Sequence, residues 1–93
     1  MHISYLPTFK DRFNRQLEYI AKDNKTAATN FRNELKNMID SLKDMPMRCR
    51  KSIFFNDENI RDMIFKGYVI TYRIKQDRLE VFGFTKYQEN PVD

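Results

Sequence analysis

Residues 60–87 read IRDMIFKGYVITYRIKQDRLEVFGFTKY. Three runs rich in Ile, Val, Phe and Tyr are separated there by Lys66-Gly67 and by Gln76-Asp77-Arg78. Two turn signals between three β-prone runs predict a three-stranded antiparallel meander, with strands at about 60–66, 68–75 and 79–86. The middle run alternates. Tyr68, Ile70, Tyr72 and Ile74 point one way and Val69, Thr71, Arg73 and Lys75 the other. The first set can be buried against helices; the second is expected to form a mixed, basic face open to a macromolecule.

The helices to bury it lie upstream. His2 to Leu6 is a short strand candidate with Ile3 and Tyr5 on one face, ended by Pro7-Thr8. Thr8 and Asp11 form a capping-box-like start. Phe9, Phe13, Leu17 and Ile20 then recur at helical spacing to about Lys22. Asp23-Asn24 breaks that helix, and Asn24 can cap the next. From about Thr26 to Asp44, Ala28, Phe31, Leu35, Met38, Leu42 and Met45 form a stripe suited to a packed seam. Pro46 stops the helix. A basic connector follows, then Ser52-Ile53-Phe54-Phe55, either a brief extra strand or a loop pinned to the core. The polar turn 56–59 precedes the strands, and residues 88–93 form a short tail.

The predicted class is α+β in the order β-α-α-β-β-β. A helical hairpin over about 8–45 packs on a small antiparallel-dominated sheet, with a meander over about 60–87. All 93 residues make one domain, large enough for a modest core but not for a deep enclosed pocket. A charged fraction of 32% with two Gly and three Pro favours a folded chain over a disordered one.

The lone Cys49 permits no internal disulfide and no cysteine-based zinc site. Without a leader or a membrane-length apolar run, the chain is expected in the cytoplasm with no membrane partner. No carboxylate pair or His cluster has metal-ligand spacing, and no Gly-rich loop could cradle a nucleotide, so no metal and no cofactor are expected. His2 and Cys49 are read as incidental. Net charge is +4, and residues 46–56 hold Arg48, Arg50 and Lys51 without an acid. That concentrates the excess in the connector, a patch suited to an acidic partner.

The element order, the length, Arg61 ahead of Gly67-Tyr68 and Tyr72-Arg73-Ile74, and the closing VFGFTKYQENP over 81–91 together resemble the RelE/ParE superfamily of bacterial type II toxin–antitoxin toxins. The resemblance covers almost the whole chain, and the ParE-like branch is favoured. It implies a toxin held inert by a cognate antitoxin whose C-terminal segment wraps the helices and sheet. It leaves two activities open. The ParE-like branch poisons DNA gyrase by protein binding; the RelE-like branch cuts mRNA on the translating ribosome.

Metal-free RNA cleavage needs an acid–base group and cations for the phosphorane. The position after Gly67-Tyr68, usually Arg in the RelE-like branch, is Val69 here. The candidates left for a ribonuclease are Arg61, Arg73, Lys86 and Tyr87, and an unperturbed Tyr with pKa near ~10 is a poor base at neutral pH. With Arg48, Arg50 and Lys51, the same four are the candidate contacts for antitoxin or target. Each has a structural alternative. Arg73 can pair with Glu80 or Asp62, Arg61 can be a solvated strand-edge charge, and Tyr68 and Tyr72 can be core rings with hydroxyls satisfied at the rim.

Overall fold

The computed structural model describes residues 1–87. The expected tail 88–93, with the end of the VFGFTKYQENP signature, lies outside the described residues. Strand β1 (His2–Tyr5) leads into helices α1 (Pro7–Asp23) and α2 (Lys25–Ser41). Strands β2 (Arg50–Lys51), β3 (Ile60–Phe65), β4 (Tyr68–Ile74) and β5 (Arg78–Lys86) follow. The five strands form one sheet in the order β1-β5-β4-β3-β2. Only the β1–β5 pairing is parallel; the rest is the predicted meander plus the two-residue β2 at its edge.

Helix α1 begins earlier than Thr8. Pro7 is in its first turn and Leu6 caps it in extended conformation, without a side-chain cap. Proline's fixed φ is pre-organised for that position and holds the preceding residue extended. Asp11 therefore lies beyond the first turn, and the expected capping box does not form. Asn24 alone joins the helices. Its side-chain oxygen accepts from the Ala27 N–H at 3.0 Å while its own N–H donates to the Ile20 carbonyl.

Phe9 and Phe13 of α1 and Ala28, Phe31, Leu35 and Ile39 of α2 are buried, and Leu42 follows directly after. The expected seam through Met38 and Met45 is corrected. Met38 is 36% exposed and Met45 61%. Ile39 takes the inward place because steps of 3, 4, 4 and 3 residues from Ala28 hold the 3.6-residue period. Met45 falls beyond the helix end.

Lys66 and Gly67 turn β3 into β4 with positive φ at both, 46° and 84°, the pattern of a type I′ hairpin. On the helix side, Ile70, Tyr72, Met63, Phe65, Leu79, Val81 and Phe84 form the core with the helices. Ile3 and Tyr5 pack against it from β1.

The opposite face differs from the open basic surface expected. Val69 and Thr71 are 3% and 6% exposed, and Asp62 is buried beside Thr71, whose hydroxyl donates to it at 3.0 Å. A bulge opposite Thr71/Tyr72 makes room for Phe82, on which Phe55 packs edge to face at 5.7 Å. The chain covers part of this face itself. Residues 52–55 are neither a strand nor pinned to the core along their length. Ser52 is buried, while Ile53 and Phe54 stand out at 69% and 63% exposure.

Candidate functional site: two cationic clefts flanking the first helix

The candidates from the strands occupy two faces of the sheet. Arg61 sits opposite Tyr72 in the β3–β4 register. It is not a solvated edge charge: its side chain is largely covered. It donates to the carbonyls of Glu58 (2.9 Å) and Cys49 (3.1 Å) and pairs with the Glu58 carboxylate. Tyr72, also on the helix face, donates to the Pro46 carbonyl at 2.7 Å. Burial, followed by a hydrogen bond with Cys49, pushes its hydroxyl pKa far above the ordinary value. These two residues tie the connector to the sheet.

On the other face, Arg73 approaches Glu80 at 3.4 Å and lies 4.9 Å over the Phe82 ring. Arg78 grips the same carboxylate through two nitrogens, at 3.2 and 3.1 Å. Burial works to raise the Glu80 pKa; the bonds from Arg78 and Arg73 outweigh it and hold the pKa below the usual carboxylate value. Lys86 is exposed opposite Tyr68 on the helix face. Tyr87, past the end of β5, donates its N–H to Gly67 and lies under the Arg50 guanidinium at 6.0 Å.

Arg61 and Lys86 therefore share a face but stand opposite Tyr72 and Tyr68, four residues of β4 apart, or ~13 Å along the strand. Arg73 and Tyr87 are on the reverse side. One phosphate cannot reach the four together. The connector cations are also engaged. Arg50 pairs with buried Asp62 (3.7 Å), Lys51 with Glu58 (3.9 Å), and Arg48 donates to the Ser41 hydroxyl (2.9 Å).

Further cations without an acidic partner among the described residues lie beside α1. In the groove between α1 and the β4–β5 end of the sheet, Arg12, Arg15 and Lys86 surround a floor of Tyr68 and Phe84, with Tyr19 on its wall. On the other flank, between α1 and α2, a cleft of about 230 Å³ is floored by Tyr5, Phe9, Phe13, Leu35 and Ile39. Lys10, Asn14, Arg32 and Lys36 form its rim.

The sequence reading passed over Lys10, Arg12, Arg15, Arg32 and Lys36 because polar positions of an amphipathic helix look like a solvated face. The signal was the spacing. Arg12, Gln16 and Tyr19 share one flank of α1, and Lys10 and Asn14 share the other. Among the described residues no group of His, Cys, Asp and Glu is placed to hold a metal, and no helix is long and apolar enough to cross a membrane.

The family model described as "ParE toxin of type II toxin-antitoxin system, parDE" matches residues 3–90. The chain belongs to the ParE toxin family. No match was found among curated proteins. Membership makes this chain the toxin of a type II toxin–antitoxin pair, with a cognate antitoxin as its partner. In this ParE-family toxin, the cationic clefts are bordered by the helical hairpin; the connector, which carries the sequence's local charge excess, has spent most of its charge on internal pairs.

Proposed function

We propose that this toxin inhibits DNA gyrase by binding it and cuts no RNA, and that its antitoxin neutralises it by laying an acidic amphipathic segment into the groove between α1 and the sheet. The observation that carries the first half is the dispersal of Arg61, Arg73, Lys86 and Tyr87 over two faces, with Arg61 and Arg73 bound up in internal contacts. General acid–base catalysis needs its groups within hydrogen-bond reach of one reacting centre. Val69, where the RelE-like branch usually carries Arg, is an apolar residue packed into the sheet.

For the second half, the groove offers an aromatic floor for apolar side chains and Arg12, Arg15 and Lys86 for carboxylates. The decisive experiment adds purified toxin to two reactions: gyrase supercoiling of relaxed plasmid, and a ribosome programmed with a defined mRNA. Expected are loss of supercoiling and intact message. Cleaved message with normal supercoiling would reverse the proposal in favour of an endoribonuclease.

A further inference from the structure

Residues 53–55 stand out beside the sheet face opposite the helices. Ile53, Phe54 and Phe55 are 69%, 63% and 41% exposed, and Ile64, two residues along β3 from Asp62 on that face, is as open as Phe55. This exposure is not slack. The Ser52 N–H donates to the Ile60 carbonyl at 2.8 Å, the Phe54 N–H to the Ser52 hydroxyl at 3.2 Å, and the Lys51 ammonium to the Asn56 side chain at 3.3 Å. With the Ile53 N–H on Asp62 and the Phe55 ring on Phe82, the loop is anchored on both sides and its apolar tip is fixed outward. Contiguous apolar groups held in water mark a contact surface, and a tip ordered in advance loses little entropy on binding.

We infer that the 53–55 loop is the toxin's contact with gyrase, a rigid tip that seats Ile53 and Phe54 in an uncharged apolar pocket of that enzyme. This rests on the gyrase reading of the preceding subsection and supplies its contact surface. Charge narrows the occupant. The cations bordering the tip are paired within the toxin: Arg50 with Asp62, Lys51 with Glu58, and Arg73, which lies over Phe82, with Glu80. An acidic peptide, a nucleic acid or an anionic membrane therefore finds no free cation to meet. Size argues against a second copy of this chain. With roughly 150–250 Å² on each aromatic side chain, the tip exposes about 400 Å², half of the ~800 Å² that each partner contributes to a stable interface. That is the scale of an anchor within a larger contact, not of a self-sufficient dimer face. The groove for the acidic antitoxin segment lies on the helix side of the sheet, so the toxin's two partners meet opposite faces.

The test uses the full-length toxin in two assays: inhibition of supercoiling by purified gyrase on relaxed plasmid, and binding to the protein encoded by the adjacent reading frame. Ile53→Ser/Phe54→Ser removes the apolar tip without changing net charge, at two side chains that stand mostly in solvent. Phe54→Leu keeps the tip apolar. p-Benzoylphenylalanine in place of Phe54 reports the contact directly by photo-crosslinking.

For the double variant, half-inhibition should need at least about tenfold more toxin, with the denaturant melt and antitoxin binding unchanged. Phe54→Leu should retain most of the inhibition, and the crosslink from position 54 should reach gyrase. Equal inhibition by the double variant and the unaltered toxin overturns this inference while the gyrase reading stands. So does antitoxin binding lost in parallel with inhibition, or a toxin dimer that the double variant breaks. If the double variant fails to fold, the crosslink decides: labelled gyrase supports the contact and unlabelled gyrase removes it. Unaltered toxin that leaves supercoiling intact removes the gyrase reading, and this inference with it.

Discussion

At Gly83 the strand register leaves no room for a side chain. A Cβ there would sit 2.9 Å from the Thr71 Cβ and 3.2 Å from its hydroxyl, and that hydroxyl is committed to buried Asp62. Gly83→Ala must therefore move Thr71 or the bulge, and an overpacking loss of about 1–3 kcal/mol is expected in a denaturant melt. The opposite sign is expected at Tyr5. Its hydroxyl makes no hydrogen bond, so Tyr5→Phe removes a buried polar group and breaks nothing. The free toxin should melt at the same temperature or slightly higher; a clear drop would show that the hydroxyl is satisfied in solution. Arg73→Ala removes a half-exposed contact with Glu80, a carboxylate Arg78 also holds. Its stability loss should stay under about 1 kcal/mol, so lost toxicity with a near-normal melt would mark Arg73 as a target contact.

Among the elements, the hairpin is stabilised by few positions. Leu35 is fully buried, and Phe31 meets Phe65 and Tyr68 edge to face at 5.3 and 5.8 Å. Leu35→Ala or Phe31→Ala should lower stability by about 2–5 kcal/mol and abolish toxicity through unfolding, read as loss of the cooperative melt. The meander was legible because Lys66-Gly67 and strict alternation fix turn and register locally. Asn24 was legible as a cap for the same reason. The Met38 seam misled because 3- and 4-residue steps fit either of two adjacent helix faces, and the choice belongs to the sheet beneath. The 52–55 run misled because apolar content does not distinguish a core segment from an exposed loop. Ile53 is held outside by a hydrogen bond from its N–H to the buried Asp62 carboxylate at 3.4 Å, a contact between residues nine apart that no local pattern encodes.

For the whole molecule, charge location depends on folding more than on composition. The sequence showed where cations are concentrated, but pairing is a tertiary property; Asp62 and Glu58 neutralise the connector only once β2 and β3 lie side by side. The same coupling sets the pH range of the fold. Tyr72 and Tyr5 both have hydroxyl pKa values raised first by burial. As pH climbs past ~10 the unfolded chain releases these protons and the folded chain keeps them. A raised pKa contributes stability that is complete below the unfolded value and is lost as pH rises toward the folded one, so the toxin should weaken on the alkaline side. Glu80 works the other way: its lowered pKa gives stability present above the ordinary carboxylate range and lost in acid. The share of the alkaline limb that belongs to Tyr72 can be isolated. Tyr72→Phe leaves the Pro46 carbonyl unpaired, which should cost about 1–3 kcal/mol at pH 7. It also removes the larger of the two tyrosine contributions, about 1.4 kcal/mol per pH unit once the unfolded phenol ionises. Unfolding free energies in urea at pH 7, 9, 10.5 and 11.5 should therefore show the two proteins converging above pH 10. Parallel curves would mean that Tyr72 ionises normally and that its ring is less enclosed than its contacts with Pro46 and Cys49 require.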